Sequence, residues 1–147
     1  MSSSSLSPNL ISNKSDPLWK ILFNQPSQSV VILDAEGRVL EINEAALQSQ
    51  VQKFSRNDYV GVFLWDTPFW NHLPEWESIW QQRLAQASKQ HDSVITQDMF
   101  QGKGGSTLYS DTTTTAIYDS ANGQLTGYVI LSVDNPNRHL VENQQQK

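Results

Sequence analysis

The sequence predicts an α+β domain with an antiparallel sheet, and three observations carry that class. The first is the stretch Val30 to Asn43, VVILDAEGRVLEIN, in which an aliphatic run reaches Asp34-Ala35-Glu36-Gly37 and a second run, Arg38 to Ile42, leads to Asn43. Asp and Gly in a short turn between β-branched runs mark a hairpin, because they accept the backbone angles a tight reversal needs. The second is a hairpin of the same form downstream: Thr112 to Tyr118, the turn Asp119-Ser120-Ala121-Asn122-Gly123, then Leu125 to Val133. The third is the helical, Trp-rich segment between them. Two hairpins enclosing a helical insert lay out a small sheet that cups a pocket, an arrangement suited to sensing or binding rather than to catalysis.

Taken in order, residues 1–15 are Ser- and Asn-rich and read as a flexible arm. Asp16 is placed to cap a short helix over 17–24, with Pro17 at its first position and Leu18, Ile21 and Leu22 on one face beside Trp19; Pro26 ends it. The first hairpin follows over 29–42. Glu44 to Lys53 reads as a helix packed through Ala45, Ala46, Leu47 and Val51, and Ser55 to Tyr59 as a polar connection. Val60 to Trp70 concentrates Phe63, Trp65, Phe69 and Trp70 in eleven residues. Pro74 then opens a longer helix. Glu75 and Glu77 suit the positive end of its dipole, and Trp76, Ile79, Trp80, Leu84 and Ala87 share one face. Ser93 to Phe100 reads as a strand, Gly102-Lys103-Gly104-Gly105 as a loop, and Thr107 to Tyr118 and Leu125 to Val133 complete a sheet of about five strands. Asp134-Asn135-Pro136 stops the last strand, leaving 135–147 as a tail or linker. The domain proper is thus expected over 16–134.

Composition narrows the function classes. The length of 147 residues fits one domain. A net charge of -5 with no basic run argues against a nucleic-acid partner, and no apolar run approaches a membrane span. The absence of cysteine excludes disulfides, thiolate metal sites and a cysteinyl photoadduct. No signal peptide is evident at the start, so a soluble, cytoplasmic protein is expected. No set of nucleophile, base and metal ligands suggests an enzyme.

The pieces VILDAEGRVLEINEAAL, VGVFLWDTPFW, the long helix after them and YDSANGQLTGYVILSVD, in that order and spacing, resemble a PAS domain over about 16–134. The resemblance implies a five-stranded antiparallel sheet with helices packed on one face. The space between commonly holds a ligand, a cofactor or only side chains. It also implies a sensory or dimerisation role, as in histidine kinases and other two-component signalling proteins, cyclic-dinucleotide enzymes and transcriptional regulators. Dimers in that family often form through the N-terminal helix, which points to Trp19 and Leu22 as homodimer contacts, with packing on the sheet as their alternative role. Many members end the last strand in Asp-x-Thr to couple it to an output helix. Here Pro136 takes the Thr place, so a signal would pass through a partner or a dimer instead.

For the pocket, the resemblance turns Ser110, Thr112, Thr114 and Ala116 inward, toward the Trp and Phe rings. The pocket candidates are Asn43, Phe63, Trp65, Trp70, Trp76, Trp80, Met99, Ser110, Thr112, Thr114 and Ser132. Hydroxyls facing aromatic rings suit a planar or amphipathic ligand. The same residues could instead be a filled core with an exposed Thr-rich face, which would make a ligand-free interaction module. Asn43 also suits a helix cap, and Asp34 and Asp119 suit turns. Heme would need an axial His, but His72 and His91 flank the long helix off its apolar face and His139 lies in the tail. FAD would meet Ser110 and Ser132 where the flavin subgroup has Asn and Gln. No cofactor is therefore the first expectation, with FAD or heme as alternatives.

Overall fold

The computed structural model describes residues 16–49, 54–101 and 107–134. The expected arm over 1–15, the Gly-rich loop after Gln101, the tail with Pro136 and His139, and the second half of the helix expected over 44–53 lie outside those residues. In chain order the elements are helix α1 (Pro17–Phe23), strands β1 (Gln28–Asp34) and β2 (Val39–Ile42), helix α2 (Glu44–Gln48), short 3-10 turns at Arg56–Asp58 and Leu64–Asp66, helix α3 (Glu75–Gln90), and strands β3 (Ser93–Gln101), β4 (Thr107–Tyr118) and β5 (Leu125–Asp134). The five strands form one antiparallel sheet in the order β2-β1-β5-β4-β3, so the first and last hairpins meet at β1 and β5 in the middle.

The turns form for the reasons their residues suggest. The Asp34 carboxylate accepts the amides of Glu36 and Arg38, each at 2.9 Å, and Gly37 takes φ 101°. A side chain at Gly37 is disfavoured at that angle and would press on the Trp65 ring. Asp119 holds the second turn by accepting the amides of Ala121 and Asn122. Gly127 has a different constraint: a Cβ there would lie 2.2 Å from the Leu33 carbonyl oxygen of the paired strand β1.

Alternation divides the sheet into two faces. Val31 and Leu33 of β1, Val94 of β3, and Tyr128 and Ile130 of β5 join Tyr59, Leu64, Trp65, Trp80, Leu84 and Ala87 in the main core, under α2 and α3. Val30, Ile32, Val129 and Leu131 point the other way and meet Phe23 and Trp19 of α1. The N-terminal helix therefore covers part of the opposite face. Burying Phe23 there contributes about 2 kcal/mol. Trp19 stacks on Phe23 at 4.9 Å and is half-buried, the packing on the sheet that was its alternative role. An i, i+4 pair falls on one side of a helix, so Trp19 goes where Phe23 goes. Leu18, Ile21 and Leu22 remain outward, each 60% or more exposed.

Candidate functional site

The inner wall of the sheet is polar where β3, β4 and β5 adjoin. Ser110, Thr112 and Thr114 are buried on this face, as are Val94 and Asp98 of β3, and the register sets Thr112 between Thr96 and Ser132, and Thr114 between Val94 and Ile130. The Thr112 hydroxyl donates to Asp98 at 2.9 Å and lies 3.3 Å from the Ser132 hydroxyl. Asp98 also receives both terminal nitrogens of Arg83 from α3, at 2.6 and 3.1 Å. The Arg83 guanidinium carbon stands 4.7 Å from the Trp80 ring centre and 5.6 Å from that of Trp76. Aromatic faces and a carboxylate thus fix this cation together.

Four buried side-chain atoms have no hydrogen-bond partner among the described residues: Tyr59 Oη, Trp80 Nε1, Thr96 Oγ1 and Thr114 Oγ1. Tyr59, Trp80 and Thr114 are fully buried. Tyr59 and Trp80 belong to the core cluster that Val94 and Ile130, the neighbours of Thr114, complete. Burial, with a smaller contribution from Asp58, pushes the Tyr59 phenol up to about 12. Each unpartnered group of this kind costs roughly 1 to 3 kcal/mol, so several in one core are a feature to be explained.

The sequence-derived pocket residues fall into separate places. Trp70, Trp76 and Trp80 come together, with Trp70 centred 4.2 Å from Trp76 and 5.6 Å from Trp80. They pack into the main core cluster that also holds Val94 and Ile130, the strand neighbours of Thr114. Phe63 and Trp65 stack at 5.0 Å and line a distinct open cleft of about 790 Å³ between α3 and the β1–β2 turn, with Glu36, Arg38, Glu77 and Gln81. Two candidates leave the pocket altogether. Met99 is 59% exposed on the outer face, because Asp98 turns inward to Arg83 and its neighbour must turn out. Asn43 is buried, but its side chain is fully engaged. Its carbonyl accepts the amides of Val30 and Ala46, both at 3.0 Å, and its amide donates to the Phe23 and Gln28 carbonyls at 2.7 and 2.8 Å. It caps α2 and ties α1 to β1, with no hydrogen-bonding capacity left for a ligand.

Arg83, Asp98, Tyr59 and Thr96 were not among the sequence-derived candidates. Arg83 falls beside Trp76 and Trp80 at helical spacing, which is a usable signal; its partner fifteen residues on is not. His72 and His91 are exposed, and His91 ends α3 in the left-handed region at φ 55°. Among the described residues no group of three His, Cys, Asp or Glu could hold a metal. No helix among them is long and apolar enough to cross a membrane.

The profile of the family described as PAS fold matches residues 23–140. No curated protein matches the chain. Similar solved structures include the PAS domain of BvgS from Bordetella pertussis, with TM-score 0.64 and 17% identity, covering 92% of this chain and 100% of that one. The PAS domain of a Colwellia psychrerythraea protein gives TM-score 0.57 and 16% identity, covering 86% and 97%. VqmA, solved bound to DPO, gives TM-score 0.62 and 20% identity, covering 78% of this chain and 56% of that one. A sensor histidine kinase of Vibrio cholerae gives TM-score 0.58 and 15% identity, covering 87% and 97%. These likenesses concern the fold. The order of strands, the helices over the inner face and a family profile spanning most of the sequence lead to one statement: the chain belongs to the PAS fold family.

Proposed function

We propose that this domain is a cytoplasmic sensory module that holds a small organic ligand between α3 and the inner face of β3–β5, without chemistry of its own. The observation that carries the reading is the set of buried, unpartnered polar atoms at Tyr59, Trp80, Thr96 and Thr114. A ligand in hydrogen-bonding reach of them would remove the desolvation penalty that they otherwise impose. VqmA, which is bound to DPO in one structure, lends support at the level of fold. Native mass spectrometry of the protein as purified tests it. A retained small mass that is lost in the Trp80→Phe/Thr114→Val variant supports the reading. A bare wild-type protein whose stability is unchanged by those substitutions contradicts it.

A second reading, homodimerisation through α1, rests on Leu18, Ile21 and Leu22, which are 60 to 63% exposed in one helix. Sedimentation equilibrium should give a concentration-dependent dimer that Leu18→Glu/Leu22→Glu converts to monomer. A wild-type monomer at all concentrations removes this reading and leaves the ligand site untouched.

A further inference from the structure

Granted the interior site proposed above, its ion pair decides which molecules it accepts. A guanidinium held beside two Trp rings is ordinarily a receptor for carboxylates, because its fork matches two oxygens at once. Here Asp98 already fills the fork. Its side chain is 2% exposed, it takes both terminal nitrogens of Arg83, and its second oxygen also accepts the Thr112 hydroxyl. Thr114, with its unpartnered hydroxyl, is the next inward residue along β4, about 7 Å from Thr112.

We infer that the ligand is an uncharged, planar molecule rich in hydrogen-bond acceptors, and that Asp98 is the specificity-determining residue that keeps anions out. An incoming carboxylate finds the Arg83 fork already taken by Asp98, and a charge buried without a partner is strongly disfavoured. An incoming cation finds Arg83 at one side and offers no acceptor to the Trp80 indole N–H, which can only donate. The hydroxyls of Tyr59, Thr96 and Thr114 can all donate as well. Flat heteroatom-bearing rings satisfy those donors and stack among the Trp70, Trp76 and Trp80 rings.

Benzamide and benzoate, alike in shape and different in charge, are the probes. Thermal melting is recorded for wild type and for Asp98→Ala with each. For wild type, benzamide raises the melting temperature, and benzoate needs on the order of tenfold more for the same rise, or fails. In Asp98→Ala the preference reverses. Benzoate supplies the missing carboxylate to Arg83 and restores the transition, so even a poorly folded variant reports through its recovery. Adding Arg83→Met to Asp98→Ala abolishes that recovery. Equal effects of both probes on wild type, or an Asp98→Ala protein indifferent to benzoate, overturn the inference while leaving the interior site standing. A wild type that neither probe moves withdraws the interior site itself, and the inference with it.

Discussion

Asn43 and Tyr59 are the two residues whose surroundings make the sharpest demands. Asn43 satisfies four backbone groups from α1, β1 and α2 with one buried amide. Asn43→Ala should cost about 3 kcal/mol in urea unfolding, because several buried groups lose their partner at once; a loss under about 1 kcal/mol would show that water replaces the amide freely. Tyr59 is neutral in the fold, with its phenol pushed up to about 12 by burial, against about 10 in the unfolded chain. The unfolded chain therefore loses its proton first. Stability is present in full below pH 10, declines between pH 10 and 12 by about 1 to 3 kcal/mol, and levels off above. Tyr59→Phe should flatten that decline in alkaline melting curves and cost little at neutral pH, since the hydroxyl has no hydrogen-bond partner among the described residues. At this scale the sequence was only partly legible. The Asx turns at Asp34 and Asp119 and the cap at Asn43 are local, and were readable from neighbours. The inward parity of β3 was not, since Val94 and Ile95 are equally apolar and the deciding contact is Asp98 with Arg83, across fifteen residues. Met99 was misplaced for that reason.

Between elements, two contacts fix how the helices and strands meet. The Arg83–Asp98 pair joins α3 to β3 with little solvent access, 13% and 2% exposed. Arg83→Met alone should cost about 3 to 5 kcal/mol by stranding a buried carboxylate, whereas Arg83→Met with Asp98→Leu should return most of it. A double variant as unstable as the single would mean that the pair itself, and not the stranded charge, carries the stability. The β1–β5 pairing depends on Gly127, where an added methyl would meet the Leu33 carbonyl at 2.2 Å. Gly127→Ala should therefore destabilise by at least about 2 kcal/mol in the same assay, since backbone must move to admit it. The elements themselves were legible in the sequence: the hairpins from their turn chemistry, and α3 from five apolar residues on one helical face. What the sequence did not disclose was that α1 lies on the opposite side of the sheet from α3. Trp19 and Phe23 are apolar in either placement, and only the burial of Val30, Ile32, Val129 and Leu131 distinguishes them.

At the scale of the whole molecule, the two faces of the sheet are packed differently. Its inner face joins an apolar core to the polar patch of Asp98, Ser110, Thr112 and Thr114, the side on which a ligand is proposed. Its outer side carries the exposed residues of α1, and Ile95 and Met99 lie exposed on β3, which suits a protein partner. The family was legible as a resemblance because the order of hairpin, aromatic segment, helix and hairpin is a global pattern that survives when single residues do not. A planar or amphipathic ligand was already suggested by hydroxyls facing aromatic rings, but the unpartnered Tyr59, Trp80, Thr96 and Thr114 groups on which the proposed chemistry rests are revealed only by packing. The central claim is that the Trp80 indole N–H donates to a bound molecule inside the core. Its direct test is the indole region of a nitrogen-15 NMR spectrum, where the Trp80 signal is identified by its loss in Trp80→Phe and followed during titration with benzamide. A saturable shift of that signal, absent with benzoate, is the predicted result. A Trp80 signal unmoved by benzamide at saturating concentration would contradict the account.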